Sequence, residues 1–388
     1  MAKGEDLLVI PAKVCLTAGV ASLAASVNPT LRTIVDLSQS AEMSLQHVEI
    51  AAFMVFQEQE GAASYFAPYL RLMDQVDMSS LPPLRSEQEL QELNGSPEAY
   101  IATRSGFWYD HDLQKLTSHC FVRDLGNFSR QAFARHHHFF MSHHFETTHG
   151  AGLIPLVDGV KHSFRPSAAW EWDVDQDALV MRASREVKEG EEITIFYGNR
   201  SNPRYLTAHG FTVPPEEEPY TSFRMWTHQL EEIEPKLQAD QMEVDLELEG
   251  QGGQEDDPRF LDYAQAVLSQ GIDPLSLLGA AVEKAMELYA KDPVILEQVA
   301  RSRASQQQDP PTLRWWLDKE PSTSQWLTDV IRVKMSEYTA LTAWAYALAV
   351  IDGELKLAAV PAESQALVQS LQILRPGRQG TLPQRAKE

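Results

Sequence analysis

The sequence predicts an α+β chain: a group of short strands, a helical region inserted among them, and a mostly helical lobe towards the C-terminus. Three observations predict it. Between Leu153 and Tyr197, "LIPLV", "AAWEW", "ALVMRA" and "EITIFY" are short apolar runs separated by polar or Gly-containing breaks, the pattern of a compact β fold. In "SLQHVEIAAFMVFQEQE", Leu45, Val48, Ala52 and Phe56 recur at helical spacing. From Asp257 onward the chain reads as helix after helix.

Taken in order, "EDLLVIPAKVCLT" reads as a buried strand, a proline and a short second strand. The helix that follows takes Ser44 as N-cap. In "SEQELQEL", Ser86 followed three residues later by Glu89 is a capping box, and Asn94-Gly95 ends the turn. A histidine-rich helix is expected from about Ser129 to Phe145. The last strand of the β group runs from Ile193 to Tyr197 and ends with a phenol beside Gly198. "VPPEEEPY" is a linker, and "MEVDLELE" alternates with period two, so Met242, Val244, Leu246 and Leu248 share one face of a half-exposed strand. "DPRFLDYAQAVLSQG" closes on a Gly cap, and "DPLSLLGAAVEKAMELYAKD" opens with Asp273 as cap and Pro274 in the first turn. A long amphipathic helix spans roughly Ser324 to Ile351. "RPGRQGTLPQRAKE" is expected to fray.

The 388 residues carry a net charge of −22, which argues against binding a nucleic-acid backbone and favours a basic protein partner. Eleven acids against the lone Lys236 between Glu231 and Asp257 supply −10 of that charge. Cys15 and Cys120 form no metal or disulfide pattern, as in a reducing intracellular compartment. The apolar run from Tyr338 to Ile351 is too short to span a bilayer, and no membrane role is expected. The N-terminus reads as neither signal nor transit peptide.

Several stretches, in order, resemble SET-domain methyltransferases of the Rubisco large-subunit methyltransferase-like class: "KGEDLLVIP", "YFAPYLRLM", "LPPLRSEQELQELNGS", "LIPLVDGVKHS", "GEEITIFYGNRSNPRYLTAHGF" and "LTDVIRVKMSEYTAL". The resemblance implies a SET-type knot of short strands. It places a SET domain over 1–212, N-terminally incomplete, with a helical insertion at about 36–140. An acidic linker and strand at 213–258, a helical substrate-binding lobe at 259–375 and a frayed tail at 376–388 follow. It implies S-adenosylmethionine as cofactor and a protein lysine as methyl acceptor, with histidine the alternative acceptor. A monomer is expected, in the cytoplasm or nucleus, with a plastid location left open.

The resemblance also assigns roles. Tyr197 is the catalytic residue that orients the acceptor amine and lines the transfer pore. Ser142, His143, Asp158, Lys161, His162, Tyr197 and Phe211 fall on cofactor-binding positions. Phe145 and Arg200 fall on the substrate side, and Phe145 favours lysine over histidine. The family's chemistry needs a neutral amine, and a lysine with a pKa of about 10.4 is neutral in roughly one molecule in a thousand near pH 7. A dry aromatic channel disfavours the charged form.

Three departures from the family pattern leave a catalytically degenerate SET interaction module as a further alternative. Lys161 stands where the family has Asn, and an ammonium about 5 Å from a sulfonium is repelled by roughly 3 kcal/mol at an effective dielectric near 20. His143 replaces Arg, losing a permanent charge and forked donors. The family's glycine-containing cofactor loop, upstream of the first strand, is absent from this sequence.

Two other features invite functional readings. "ARHHHFFMSHHFETTHG" holds His136, His137, His138, His143, His144 and His149, but no two stand three or four apart on a helix, so helix packing or surface exposure is expected rather than a metal site. Trp315-Trp316 and the stripe Trp326, Ile331, Met335 and Leu341 are expected to pack the C-terminal lobe.

Overall fold

The computed structural model describes residues 1–25, 32, 46–99, 101–102, 130–237, 243–249, 265–293, 295–296, 324–361, 364–365, 367–368 and 371. Ser44, Leu45, Cys120, Met242, the Trp315-Trp316 pair and the C-terminal tail lie outside these residues. The chain divides into two compact units, Met1–Ser79 with Thr103–Gly198, and Ser80–Ala102 with Asn199–Glu388.

The first unit holds the short strands. β1 (Asp6–Pro11), β7 (Ala178–Ala183) and β6 (Ala168–Asp173) form an antiparallel sheet in that spatial order. β2 (Leu16–Thr17), β4 (Gly150–Leu153) and β3 (Phe145–Thr147) form a second. β5 (Lys161–His162) pairs in parallel with β8 (Thr194–Ile195). Three readings of the sequence are corrected here. β1 is an edge strand with only Ile10 fully buried and Val9 43% exposed, because it has a single neighbour. "LIPLV" leaves the sheet at Leu153. Pro155 has no N–H to give a ladder, and Leu156 takes φ 73, so Ile154 to Val160 forms a tight turn closed by Val157 and Asp158 N–H bonds to the Ile154 carbonyl and a Val160 N–H bond to that of Val157. The expected strand from Ile193 to Tyr197 makes ladder pairs only at Thr194 and Ile195.

The helices of this unit are α1 (Ala18–Ala25), α2 (Gln46–Gln59), α3 (Ala67–Met73) and, further along the chain, the histidine-rich Arg130–His143 helix. α2 is buried on more than one face: Val48, Ala51, Ala52 and Val55 pack with Phe133, while Ile50, Phe53 and Met54 pack with Phe66, Tyr69, Phe139 and Phe140. An all-round apolar helix is what a core position selects, so the single stripe read from the sequence is only part of its buried surface.

The second unit begins with α4 (Glu87–Leu90), capped as expected: Ser86 Oγ accepts the Glu89 N–H, and the Glu89 carboxylate accepts from the Ser86 N–H. The histidine-rich helix of the first unit is α5. α6 (Asn202–His209), β9 (Tyr220–Trp226), α7 (Thr227–Ile233), β10 (Glu243–Glu249), α8 (Pro274–Tyr289) and α9 (Gln325–Ile351) complete the second unit's main elements. β10 pairs antiparallel with β9, and Val244 and Leu246 stand opposite the buried Met225 and Phe223, the register the alternation predicts. Asp273 caps α8 by accepting the Ser276 N–H, and Ser324 caps α9 by accepting that of Leu327. Leu277, Leu278, Ala281 and Val282 from α8 pack against Ala340, Leu341, Trp344 and Ala347 from α9. Among the described residues no helix is long and apolar enough to cross a membrane.

Candidate active site

The site is built where the Ile154–Val160 turn, β5 and the end of β8 meet. Past Ile195 the chain leaves the ladder, and Phe196 and Tyr197 are held by side-chain chemistry instead. The Tyr197 N–H donates to His162 Nδ1 at 3.1 Å, and its hydroxyl donates to the Val160 carbonyl at 2.6 Å. The next residue, Gly198, has φ 97 with open space where a Cβ would stand. The phenol ring is half-buried against the apolar cluster of Ile10, Cys15, Ile154, Val157 and Ile195.

This geometry fixes two protonation states. Because His162 Nδ1 accepts a bond from a backbone N–H, the neutral ring carries its proton on Nε2, and partial burial pulls the imidazole's pKa below its usual value. Because Tyr197 gives its proton to a carbonyl, its oxygen offers only lone pairs to any other group. Burial first, and the Asp158 charge second, push the phenol up to about 12, so it remains protonated near neutral pH.

Asp158 is nine-tenths buried and accepts a hydrogen bond from the Tyr69 hydroxyl of α3. Burial pushes its carboxyl up to about 7, against the Tyr69 bond and backbone N–H groups that hold it down. The buried Cys15 thiol is likewise pushed up to about 12 by burial and then by Asp158. Lys161, the neighbour on β5, does not share this interior. Its side chain is 75% exposed, with Nζ 2.8 Å from Glu192 Oε1, and that partner raises its pKa.

At the end of α5, Ser142 Oγ bonds the His138 and Phe139 carbonyls at 2.9 and 3.2 Å. His143 Nδ1 lies 2.7 Å from Ser142 Oγ and 3.1 Å from the Phe139 carbonyl, with its ring stacked on Phe139 at 4.3 Å. Desolvation lowers the His143 pKa, so the ring is neutral near pH 7, with Nδ1–H directed at its own helix. Phe145 opens β3, packs edge-on to Trp170 at 5.0 Å and touches the same apolar cluster as Tyr197.

Phe211 and Arg200 belong to the second unit. α6 ends on Gly210 in the left-handed region, φ 74, and Phe211 stacks on Tyr205 at 5.2 Å. Arg200 is half-buried. The "RSN" stretch has a packing role: Ser201 and Asn202 are fully buried, Ser201 Oγ meets Ser222 Oγ, and the Asn202 amide exchanges two hydrogen bonds with the Val213 backbone.

The histidine run behaves as packing. His136, His137 and His138 are buried, and His137 meets His47 of α2 edge-on at 4.9 Å. Desolvation, with the nearby His47 and His138, pulls His137 down to about 3. Among the described residues no three His, Cys, Asp or Glu side chains gather as a metal site.

Sequence reasoning gathered Asp158, His162 and Tyr197 and missed Tyr69 and the Val160 carbonyl. Tyr69 lies within the quoted "YFAPYLRLM" stretch, 89 residues from its partner, and no local spacing links the two. A backbone carbonyl has no sequence signature at all.

Comparison with known proteins shows what this fold is similar to. Residues 35–198 match the family model of the SET domain. The chain's fold is that of Rubisco LSMT: it matches the crystal structure of the SET domain of LSMT bound to lysine and AdoHcy with a TM-score of 0.65 at 16% identity, over 92% of this chain and 84% of that one. Rubisco LSMT bound to AdoMet matches with a TM-score of 0.61 at 15% identity, over 97% and 88%. Among curated proteins, SET domain-containing protein 8 of Schizosaccharomyces pombe is 31% identical over 71 residues. That match spans 18% of this chain and 16% of the yeast protein.

Proposed function

We propose that this protein is an S-adenosylmethionine-dependent protein methyltransferase whose acceptor is a lysine side chain. The observation that carries the reading is the Tyr197 hydroxyl, which donates to the Val160 carbonyl and so presents an acceptor-only oxygen beside Gly198. An amine N–H is the complement to such an oxygen. Held by it, the nitrogen keeps its lone pair directed elsewhere, towards an electrophile. Orientation of this kind supplies much of the rate of a bimolecular transfer.

The residues around Tyr197 suit the donor. A sulfonium is tolerated beside oxygen atoms and repelled by an ammonium, and the one lysine of this stretch is held by Glu192 on the exposed side of β5. The open backbone at Gly198 leaves room for the donor molecule, and the Nε2–H of His162 would donate to one of its acceptor atoms, away from the sulfonium. When bound, S-adenosylmethionine supplies an electrophilic methyl group. The chain's own residues orient the amine, exclude water with the half-buried Phe145, Trp170 and Tyr197 rings, and disfavour a charged amine by desolvation. The SET domain of LSMT, which shares this fold, is seen with lysine or methyllysine and AdoHcy, which supports the lysine reading.

Histidine as acceptor has less support. Phe145 on Trp170 makes an apolar wall that suits a lysine's methylene chain. The test is transfer of a labelled methyl from S-adenosylmethionine into a proteome extract, followed by mass spectrometry of the modified residue. Methyl-lysine supports the reading, methyl-histidine moves it to the alternative acceptor, and no transfer together with no cofactor binding by calorimetry leaves a SET interaction module.

A further inference from the structure

We infer that Tyr69 and Asp158 form a positioning pair that fixes the Ile154–Val160 turn, and through it the Val160 carbonyl and the Tyr197 hydroxyl. The inference rests on the proposed function and deepens it. Two independent observations converge on this turn. Its interior carboxylate is tied to a phenol 89 residues away on α3, and both side chains are buried. Its second corner, Leu156, holds φ 73 with an exposed side chain. That conformation is unfavourable for a leucine and persists only where surrounding contacts over-determine it.

The route from the pair to the reacting group is short. Asp158 hangs from the Ile154 carbonyl by its own N–H, and Val160 from that of Val157, so the carboxylate lies between the two hydrogen-bonded corners. Ile154 and Val157 are fully buried and anchor the apolar side of the turn. Tyr69 anchors the polar side. The turn's last carbonyl, Val160, then takes the Tyr197 proton at 2.6 Å. Without the α3 tether the turn can relax towards an unstrained Leu156, and the carbonyl moves with it. Tyr197 then regains a free hydroxyl proton and no longer offers an acceptor-only oxygen. Asp158 acts in this account through Tyr69 and the turn, not by touching the cofactor as the resemblance to known methyltransferases implies.

The experiment compares Tyr69→Phe and Asp158→Asn with wild type. Asparagine keeps an acceptor for the Tyr69 hydroxyl, so Asp158→Asn is expected to leave Val160 and Tyr197 amide exchange closer to wild type than Tyr69→Phe does, with S-adenosylmethionine affinity unchanged. Tyr69→Phe is expected to lower kcat about tenfold with KM for both substrates unchanged. Residue-resolved hydrogen exchange gives a readout independent of transfer: the Val160 and Tyr197 amides should exchange at least tenfold faster in Tyr69→Phe, while that of Val180 in the β1–β7 sheet is unchanged. Unchanged Val160 and Tyr197 exchange, or loss of cofactor affinity in a folded Asp158→Asn protein, overturns the inference. If wild type transfers no methyl group, the proposed function fails by itself, and exchange still decides whether the pair fixes the turn.

Discussion

Each unit buries a carboxylate that accepts a hydrogen bond from a tyrosine, and the two pairs are surrounded differently. In the first unit Asp158 takes the Tyr69 hydroxyl next to the Cys15 thiol and Tyr197, with no basic side chain among the groups that set its pKa. In the second, Glu337 of α9 takes the Tyr289 hydroxyl and, on its other oxygen, that of Ser96 at 2.7 Å. Around Glu337 lie the fully buried Glu98 and the buried Lys334, which itself pairs with Asp292 at 2.7 Å. Glu337 therefore joins three separate stretches, the 80–102 segment, α8 and α9, into one core. Asp158 joins α3 to a single turn whose product is the position of one carbonyl. A buried carboxylate shared among several elements cements a fold, and one tied to a single strained turn aims a group.

The largest expected effect separates these roles. Lys334→Met leaves Asp292 buried without its cation, a loss of about 3–5 kcal/mol, read by chemical denaturation. Methyl transfer per folded molecule should be unchanged. Next, Tyr197→Phe removes the hydroxyl that meets Val160 and should cut transfer on the order of a hundredfold, the effect of losing reactive geometry. The accompanying stability change should stay near 1 kcal/mol, the net worth of one hydrogen bond. Equal activity in that variant would remove the phenol from the mechanism.

Gly210→Ala tests the second unit's backbone. The glycine holds φ 74, and an added Cβ would stand 2.5 Å from Ser80 Oγ and 3.2 Å from the Leu81 nitrogen. Left-handed strain alone costs roughly 1–2 kcal/mol, and the clash with backbone adds to it, so the melting temperature should fall and Phe211 should lose its placement after α6.

The pH dependence sharpens the comparison further. Burial first, then the Glu98 charge, pushes Glu337 up to about 8 from an ordinary 4.5. A carboxyl with a raised folded pKa binds more protons in the native state, so its contribution is fully present below pH 4.5 and is lost as pH rises through 8. Stability should decline over that window with a slope of up to about 1.4 kcal/mol per pH unit for one proton, and Glu337→Gln should flatten the slope. Asp158, raised to about 7, contributes in the same direction over a narrower span, and Asp158→Asn should remove only the part below pH 7. The smallest effect is Ser86→Ala at the capping box, about 1 kcal/mol, with transfer unaffected.

Local chemistry made much of the molecule legible in advance. The Ser86–Glu89 box, the Asp273 cap, the α9 helix and the extended run at β10 all depend on residues a few positions apart. The site was legible where it is contiguous: Asp158, His162 and Tyr197 lie in two short stretches that β5 and β8 bring side by side. Strand lengths were overestimated at "LIPLV" and "EITIFY" because apolar runs show burial but not which N–H groups find a ladder partner.

The sequence alone determined the Ser86 and Asp273 caps, the α8 and α9 helices and the order of the SET-like motifs, since each rests on the geometry of neighbouring residues. Tertiary structure decided that Lys161 pairs with Glu192 in solvent, that residues 80–102 pack into the second unit, and that Asp158 is held by Tyr69. Those outcomes depend on which distant groups share a desolvated interior. Burial can raise one carboxylate to about 7 while leaving the lysine three residues on in water, and nothing in a linear spacing carries that information.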